Sequence, residues 1–393
     1  MPYEPGAPLE NGIPLCVPEL RGNEWKYVKD CLDTNWVSSA GAYVDRFEHA
    51  IAEYVGVHHA VATCNGTAAL HVALLVAGVQ PDDEVLVSSL TFIAPVNAIR
   101  YVGAWPVFID CELDYWQMDV SQVADFLETG CHVENGAIVN RSTGRRVSAI
   151  LPVSILGHPV DFDPVMHVAR RFKLPVIEDA TESLGSLYRG RTSGSLGDLA
   201  CLSFNGNKLI TTGGGGMLVT NNEGWARRAR YLSTQAKDDP LEYVHGEVGY
   251  NYRLTNIQAA LGCAQVERLD EYVKAKRSIA ERYAAGLATV PGIDPMPEAP
   301  WARSVYWLYT ILVNQGEYGI DRRGLLSELA KDGIQTRPLW QPMHLSPAHS
   351  APHRSCPIAE SLQTAALSLP SSVGLDATSQ NMVVDAIRRH SVR

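Results

Sequence analysis

The sequence predicts an α/β protein whose core is a mostly parallel sheet covered by helices on both faces. Two observations predict it. From about residue 45 to 232, short apolar runs alternate with stretches of helical periodicity, the pattern of consecutive β-α-β units. One of those runs, Val176-Ile177-Glu178-Asp179, ends on acids, and α/β proteins bind ligands at the carboxyl ends of their strands.

Residues 1–25 are rich in Pro and Gly and read as an N-terminal arm rather than a packed element. Residues 45–55 read as a helix and 59–63 as a strand. Residues 67–77 form a helical pattern with Leu70, Ala73, Leu74 and Ala77 on one face and a stop at Gly78. A strand at 84–88, a helix at 94–101 and a strand at 106–110 follow. Between 131 and 148, the turn signals Glu-Asn-Gly and Ser-Thr-Gly-Arg-Arg flank an apolar run at 137–139, which reads as an inserted hairpin. Strand 149–155, helix 164–172 and strand 175–178 resume the core. Strands at 199–204 and 216–220, then a helix at 223–232, lead to one long helical stretch from 255 to about 287. That stretch closes a large domain, 26–290. Pro291-Gly292 and the Pro-rich run 295–300 mark the boundary to a smaller C-terminal α/β unit, 291–393.

The bulk properties narrow the function classes. A chain of 393 residues with 46% hydrophobic and 19% charged residues is ordinary for a globular enzyme. A net charge of −10 argues against a nucleic-acid partner, which calls for a basic face. The eight cysteines are scattered without a C-x-x-C pair, so no structural metal is expected and they read as reduced thiols of a cytoplasmic protein. The N-terminus has no signal-peptide pattern. No apolar run approaches the roughly 20 residues of a membrane helix, so no membrane partner is expected.

The chemistry gathers around Lys208. An apolar strand runs into a small polar turn, Asn205-Gly206-Asn207, that delivers the lysine, and four glycines follow at 213–216. A lysine presented so can bond to an aldehyde as an imine, and once displaced it serves as a base. Asp179, at a strand end, can hold a pyridine nitrogen protonated, so that the ring accepts electrons; its position also suits a helix cap. Asn65-Gly66-Thr67 lies where a strand meets a helix start, a place that binds phosphate through unpaired N–H groups, and Thr67 adds a hydroxyl. The same tripeptide suits a plain N-cap. Ser203 is a second phosphate candidate, and Phe92 an aromatic positioned to stack on a ring or to fill the core. Together, Gly66, Thr67, Asp179, Ser203 and Lys208 fall in the order one pyridoxal 5'-phosphate site requires. The glycines do not form a nucleotide P-loop, because no Lys-Ser/Thr follows them, and no early G-x-G-x-x-G supports a nicotinamide cofactor.

Four segments carry a resemblance: 65–70 (Asn-Gly-Thr-Ala-Ala-Leu), 178–185 (Glu-Asp-Ala-Thr-Glu-Ser-Leu-Gly), 203–208 (Ser-Phe-Asn-Gly-Asn-Lys) and 249–256 (Gly-Tyr-Asn-Tyr-Arg-Leu-Thr-Asn). Through them the chain resembles the DegT/DnrJ/EryC1/StrS sugar aminotransferases over about residues 12–390. The resemblance implies the aspartate-aminotransferase fold (fold type I of pyridoxal-phosphate enzymes). It matches Lys208 to the cofactor-bearing lysine, Asp179 to the pyridine-nitrogen partner, Phe92 to the stacking ring, and Gly66, Thr67 and Ser203 to the phosphate binders. It matches Asn251 to an asparagine that reaches the phosphate from the neighbouring subunit, implying a homodimer with shared sites. Dehydratase members carry histidine in place of the lysine, so Lys208 implies amino transfer. Glu182 departs from the Gln or His of many members near the ring hydroxyl.

The flanks at 14–15, 22–28 and 33–39, together with 131–148 and 234–239, resemble the branch that serves legionaminic-acid and related nonulosonate pathways. They imply a UDP-linked 2-acetamido-4-keto-6-deoxy sugar as substrate and glutamate as amino donor, for surface-glycan synthesis. Arg337, Trp340 and His344 are the candidate sugar-nucleotide contacts; a tightly folded C-terminal loop is the other reading for them. Trp36, Ser38 and Ser39 are further candidates, from a turn facing the same cleft. The rival readings are a synthase of the perosamine type acting on a GDP-linked 4-keto-6-deoxymannose and, from another class, a non-catalytic cofactor-binding regulator.

Overall fold

The computed structural model describes residues 12–239, 241–349 and 355–391. The first part of the expected arm, residues 1–11, lies outside them.

A large sheet organises the molecule. Strand Glu84–Ser88 lies between Trp105–Ile109 and Arg146–Leu151, parallel to both. Bridges from Ile150 to Val176 and from Val153 to Asp179 continue the parallel order into strand Ile177–Asp179. Leu199–Ser203 is parallel to that strand. Gly216–Thr220 runs antiparallel between Leu199–Ser203 and His59–Thr63, so this strand is reversed against its neighbours. Strands Glu84–Ser88 and Gly216–Thr220 are buried along their whole length, as expected when helices cover both faces. Helices Ala42–Val55, Gly66–Val76 and Glu223–Ser233 pack on it among one large apolar cluster. Cys131–Glu134 and Ala137–Asn140 form an antiparallel pair attached to the sheet through Arg146–Leu151.

The second unit is an antiparallel sheet ordered Ile293–Pro295, Tyr309–Val313, Ala366–Leu369, Arg337–Pro338. Helices Arg322–Lys331 and Ala377–Arg389 share its apolar cluster. The helical stretch expected as one piece is two helices, Asn256–Val266 and Leu269–Leu287. The interruption falls at Glu267, whose carboxylate accepts from Asn23 Nδ2, Tyr27 Oη and Arg46. The second helix belongs to both cores: Leu269, Tyr272 and Val273 pack in the large one, Ile279, Tyr283 and Leu287 in the small one.

From Ile13 onward the N-terminal segment is pinned. Ile13 exchanges backbone hydrogen bonds with Gly333 and Gln335, and the Leu15 carbonyl accepts from Ser371 N–H. Residues Glu24–Asp33 form a helix that the composition of the segment conceals; it packs on Asn256–Val266, a contact no local pattern announces.

Candidate active site

The strand ends deliver their residues to one cavity of about 290 Å³, lined by Gly66, Thr67, Phe92, Asp179, Glu182, Ser203, Lys208 and Trp340, among others. At one end, Asn65 caps helix Gly66–Val76, its Oδ1 accepting from Ala68 N–H at 2.7 Å. That leaves the first-turn N–H groups of Gly66 and Thr67 without intrahelical partners. A Cβ on Gly66 would lie 2.9 Å from Ser203 Cβ, so glycine is what allows helix and strand end to form one cup. The glycine run has two uses. Gly215 lines the cavity, but a Cβ on Gly216 would sit 2.4 Å from the Asn65 backbone. The run lets the reversed strand pass under the cup.

At the other end stands Asp179. Pleat alternation sends neighbouring side chains to opposite faces. Glu178 therefore turns away and accepts from the N–H groups of Gly194, Leu196 and Gly197. Asp179 turns into the cavity, accepting from Thr181 N–H at 3.0 Å. It is only 2% exposed, and burial pushes its carboxyl above the ordinary range, with Thr181 and Lys208 pulling the other way. A buried carboxylate facing a cavity is suited to a cationic N–H.

Lys208 lies between the ends. Its Nζ is 3.4 Å from Glu182 Oε1 and 3.9 Å from the centre of the Trp307 ring. Glu182 is buried, and burial pushes its carboxyl up against the pull of Lys208 and of the Leu156 N–H. Trp307 is a residue that sequence reasoning missed. It comes from the far side of the Pro-rich boundary and is fixed by its Nε1, which donates to the Asn207 carbonyl at 2.7 Å. Thr181 and Asn205 also line the cavity and were missed; their closeness to Asp179 and Lys208 in the chain is the signal that points to them. Phe92 is 52% exposed, which fits a ring at the cavity mouth rather than in the core.

A second cavity, of about 560 Å³, adjoins the first and shares Asn207, Trp307 and Trp340 with it. Arg337 lines this one. His344 lines neither: it is buried behind the wall, its Nδ1 2.6 Å from Ser89 Oγ and its Nε2 3.1 Å from Glu360. It thus ties the segment bearing Trp340 to the one bearing Phe92. Trp36, Ser38, Ser39 and Asn251 are exposed and line neither cavity. The turn at 36–39, expected to face the same cleft as Arg337 and Trp340, lies outside both cavities. The turn is held against residues 253–256 instead, through Arg253 Nε to the Ser39 carbonyl and Asn256 N–H to the Ser38 carbonyl.

Unpaired N–H groups and hydroxyls at one end, a buried carboxylate at the other and an amine between them fit pyridoxal phosphate, an anion joined to a basic ring and an aldehyde. Sheet order and cavity together define a fold type I pyridoxal-phosphate enzyme. The DegT/DnrJ/EryC1/StrS aminotransferase family model matches residues 18–388, and the chain belongs to that family. It is 41% identical to the GDP-perosamine synthase of Caulobacter vibrioides over 378 residues, 95% of this chain and 97% of that one. It is 40% identical to the GDP-perosamine synthase of Escherichia coli O157:H7 over 359 residues, 91% and 93% of the two chains. The solved aminotransferase TlmJ of Streptoalloteichus hindustanus superposes with a TM-score of 0.87 at 28% identity, covering 96% of this chain and 98% of its own. The protein is a pyridoxal-phosphate-dependent sugar aminotransferase.

Proposed function

We propose that the enzyme is a cytosolic homodimer that converts the 4-keto group of a nucleotide-linked 4-keto-6-deoxy sugar to an amine, with glutamate as donor, for surface-glycan synthesis. The observation that carries this reading is Lys208 itself, an amine held between Glu182 and Trp307 in a cavity with a phosphate cup at one end and Asp179 at the other. Bound there, pyridoxal phosphate supplies a carbonyl carbon that accepts an amine and a ring that takes up electrons.

The residues then divide the work. Gly66, Thr67 and Ser203 hold the phosphate, and Asn251 of the partner subunit completes that grip. Asp179 keeps a proton on the ring nitrogen, and Phe92 covers the ring face. Lys208 anchors the cofactor and afterwards moves a proton through Nζ. Glu182 orients Lys208 from its buried side. Trp340 and Arg337 meet the sugar nucleotide where the two cavities join.

For the nucleotide, the likeness to two GDP-perosamine synthases supports a GDP-linked 4-keto-6-deoxymannose. The UDP-linked 2-acetamido sugar is the second reading, favoured by the flanking segments at 33–39 and 131–148. Supplying each keto sugar with glutamate separates them: turnover of the GDP sugar is expected, and exclusive turnover of the UDP sugar overturns it. Lys208→Ala is expected to abolish the visible absorbance of the loaded enzyme and its half-reaction with glutamate. A half-reaction of undiminished rate in that variant overturns the role given to Lys208.

A further inference from the structure

Behind Lys208, distant segments of the chain meet at a second lysine. Helix Leu269–Leu287 carries Lys276 into the interior, where it is 1% exposed. Its Nζ donates to the Trp307 carbonyl at 2.7 Å and to the Ser371 carbonyl, and it lies 3.8 Å from Cys16 Sγ. Among the described residues, Cys16 is the titratable group that acts on it, and no carboxylate does. Burial pulls the Lys276 pKa below the ordinary lysine value, with Cys16 pulling the other way. Lys276 is thereby nearer its neutral, nucleophilic form than a surface lysine is.

The thiol has its own tie to the reactive turn. Cys16 Sγ donates to the Asn207 carbonyl at 3.2 Å, and Trp307 Nε1 donates to the same oxygen at 2.7 Å. Asn207 immediately precedes Lys208, and the Trp307 ring lies 3.9 Å from Lys208 Nζ. Cys16 is partly exposed and lines the larger cavity, so a small solute reaches it. Apart from Cys64, the other cysteines are buried. A nucleophilic sulfur and an amine thus stand side by side at the back of the site, and amino transfer uses neither.

We propose that Cys16 and Lys276 form a peroxide-responsive switch, a reversible sulfur–nitrogen bond between their side chains that disturbs the turn bearing Lys208. In the first step the Cys16 sulfur attacks one oxygen of hydrogen peroxide. The O–O bond breaks, the sulfur becomes a sulfenic acid and one water leaves. In the second step the Lys276 nitrogen attacks that sulfur. The S–N bond forms, the S–O bond breaks, and the hydroxyl leaves as a second water with a proton from the nitrogen. The sulfur has lost two electrons, and one peroxide has become two waters. Two molecules of a thiol reductant reverse the bond, restoring thiol and amine as they become a disulfide.

Counting donors gives the consequence. The sulfenamide keeps one N–H, so it cannot serve both the Trp307 and the Ser371 carbonyls, and one is left unpaired in the interior. The Asn207 carbonyl loses its thiol donor. Closing 3.8 Å to a covalent bond also draws Nζ toward the N-terminal segment.

Peptide mapping tests it. The cofactor-loaded enzyme is treated with hydrogen peroxide, quenched with catalase and digested without reductant. The expected product is a peptide joining Cys16 to Lys276, about 2 Da lighter than the sum of its parts and absent after dithiothreitol. The half-reaction with glutamate is expected to slow roughly tenfold or more and to recover on reduction. Cys16→Ser keeps a donor for the Asn207 carbonyl and is expected to hold its rate through peroxide treatment, which separates Cys16 from Cys64. Lys276→Met is expected to stop at the sulfenic acid, which dimedone labels at Cys16. Oxidation of Cys16 with Lys276 left free in the wild type overturns the proposal. So does a Cys16 that resists peroxide, a linked enzyme of undiminished rate, or a Cys16→Ser enzyme inactivated like the wild type. Should Lys276→Met not fold, the joined peptide of the wild type decides. That peptide forms whatever the amino donor is, so an untreated enzyme without a glutamate half-reaction counts against the donor and not against the bond.

Discussion

Glu182 accepts the backbone N–H of Leu156 at 2.9 Å while its other oxygen lies 3.4 Å from Lys208 Nζ. Leu156 has a φ of 58°, in the left-handed region, which costs an L-residue about 1–2 kcal/mol. Its side chain lines the cavity next to the cofactor cavity. One buried carboxylate therefore holds both the reactive amine and a strained turn in the adjoining wall.

Replacing Glu182 separates these two tasks. Glu182→Gln keeps an oxygen for the Leu156 N–H and removes the ion pair, so the pH midpoint of the cofactor absorbance is expected to move while stability changes little. Glu182→Ala leaves a buried N–H unpaired, at a cost of about 1–3 kcal/mol. Urea unfolding of both variants checks this; equal midpoints would show that the Leu156 contact does not stabilise the fold.

Gly66→Ala tests the phosphate cup. The added methyl meets Ser203 Cβ at 2.9 Å, an overpacking strain of about 1–3 kcal/mol. Because the strain falls on the cup, the cofactor is expected to dissociate more readily while the cofactor-free protein keeps its secondary structure. Equilibrium dialysis with absorbance of the retained cofactor measures it. Unchanged retention would remove Gly66 from the phosphate site.

Acid sensitivity is expected from His158. Its ring Nδ1 donates to the Pro159 carbonyl at 2.8 Å and its Nε2 accepts from Ala299 N–H at 3.0 Å, a neutral tautomer satisfied on both sides. Burial lowers its pKa to about 4 from an ordinary 6.5. Between those values the unfolded chain binds the proton and the folded one does not. The stability is therefore complete above about pH 6.5 and is lost as pH falls toward 4. Denaturant midpoints measured across that window should decline in the wild type and decline less steeply in His158→Gln. Identical slopes would contradict the assignment.

Asn256→Ala removes the clamp behind the 36–39 turn. Three side-chain hydrogen bonds, from Tyr43 N–H, to the Trp36 carbonyl and to Cys31 Sγ, are lost from a buried position, an expected cost of about 1–3 kcal/mol. Amide hydrogen exchange over residues 34–43 should quicken while the strands Glu84–Ser88 and Leu199–Ser203 stay protected. Unchanged exchange in the turn would show that Asn256 does not hold it.

Much of the large sheet is legible in the chain because its strands are short apolar runs with turn residues at their ends, as at 84–88 and 216–220. The helix break at Glu267 is not legible. Its local sequence favours helix, and the residues that receive the Glu267 carboxylate, Asn23, Tyr27 and Arg46, are remote in sequence. The helix Glu24–Asp33 is hidden for a related reason: it sits in a segment read by its prolines and glycines, and it is supported by packing on Asn256–Val266.

At the site, the sequence by itself determined which chemical groups stand at the strand ends: Asn65-Gly66-Thr67, Asp179, Ser203 and Lys208. Those are local facts, set by where an apolar run stops and which residues come next. Only the tertiary structure decided what faces them. Pleat alternation turned Asp179 in and Glu178 away. Packing between the two units brought the Trp307 ring to Lys208 and withdrew His344 behind the wall. The Asn256 clamp turned Trp36 away from its own cavity. Each of these depends on contacts between segments far apart in the chain, and no local pattern encodes a contact whose other half lies elsewhere.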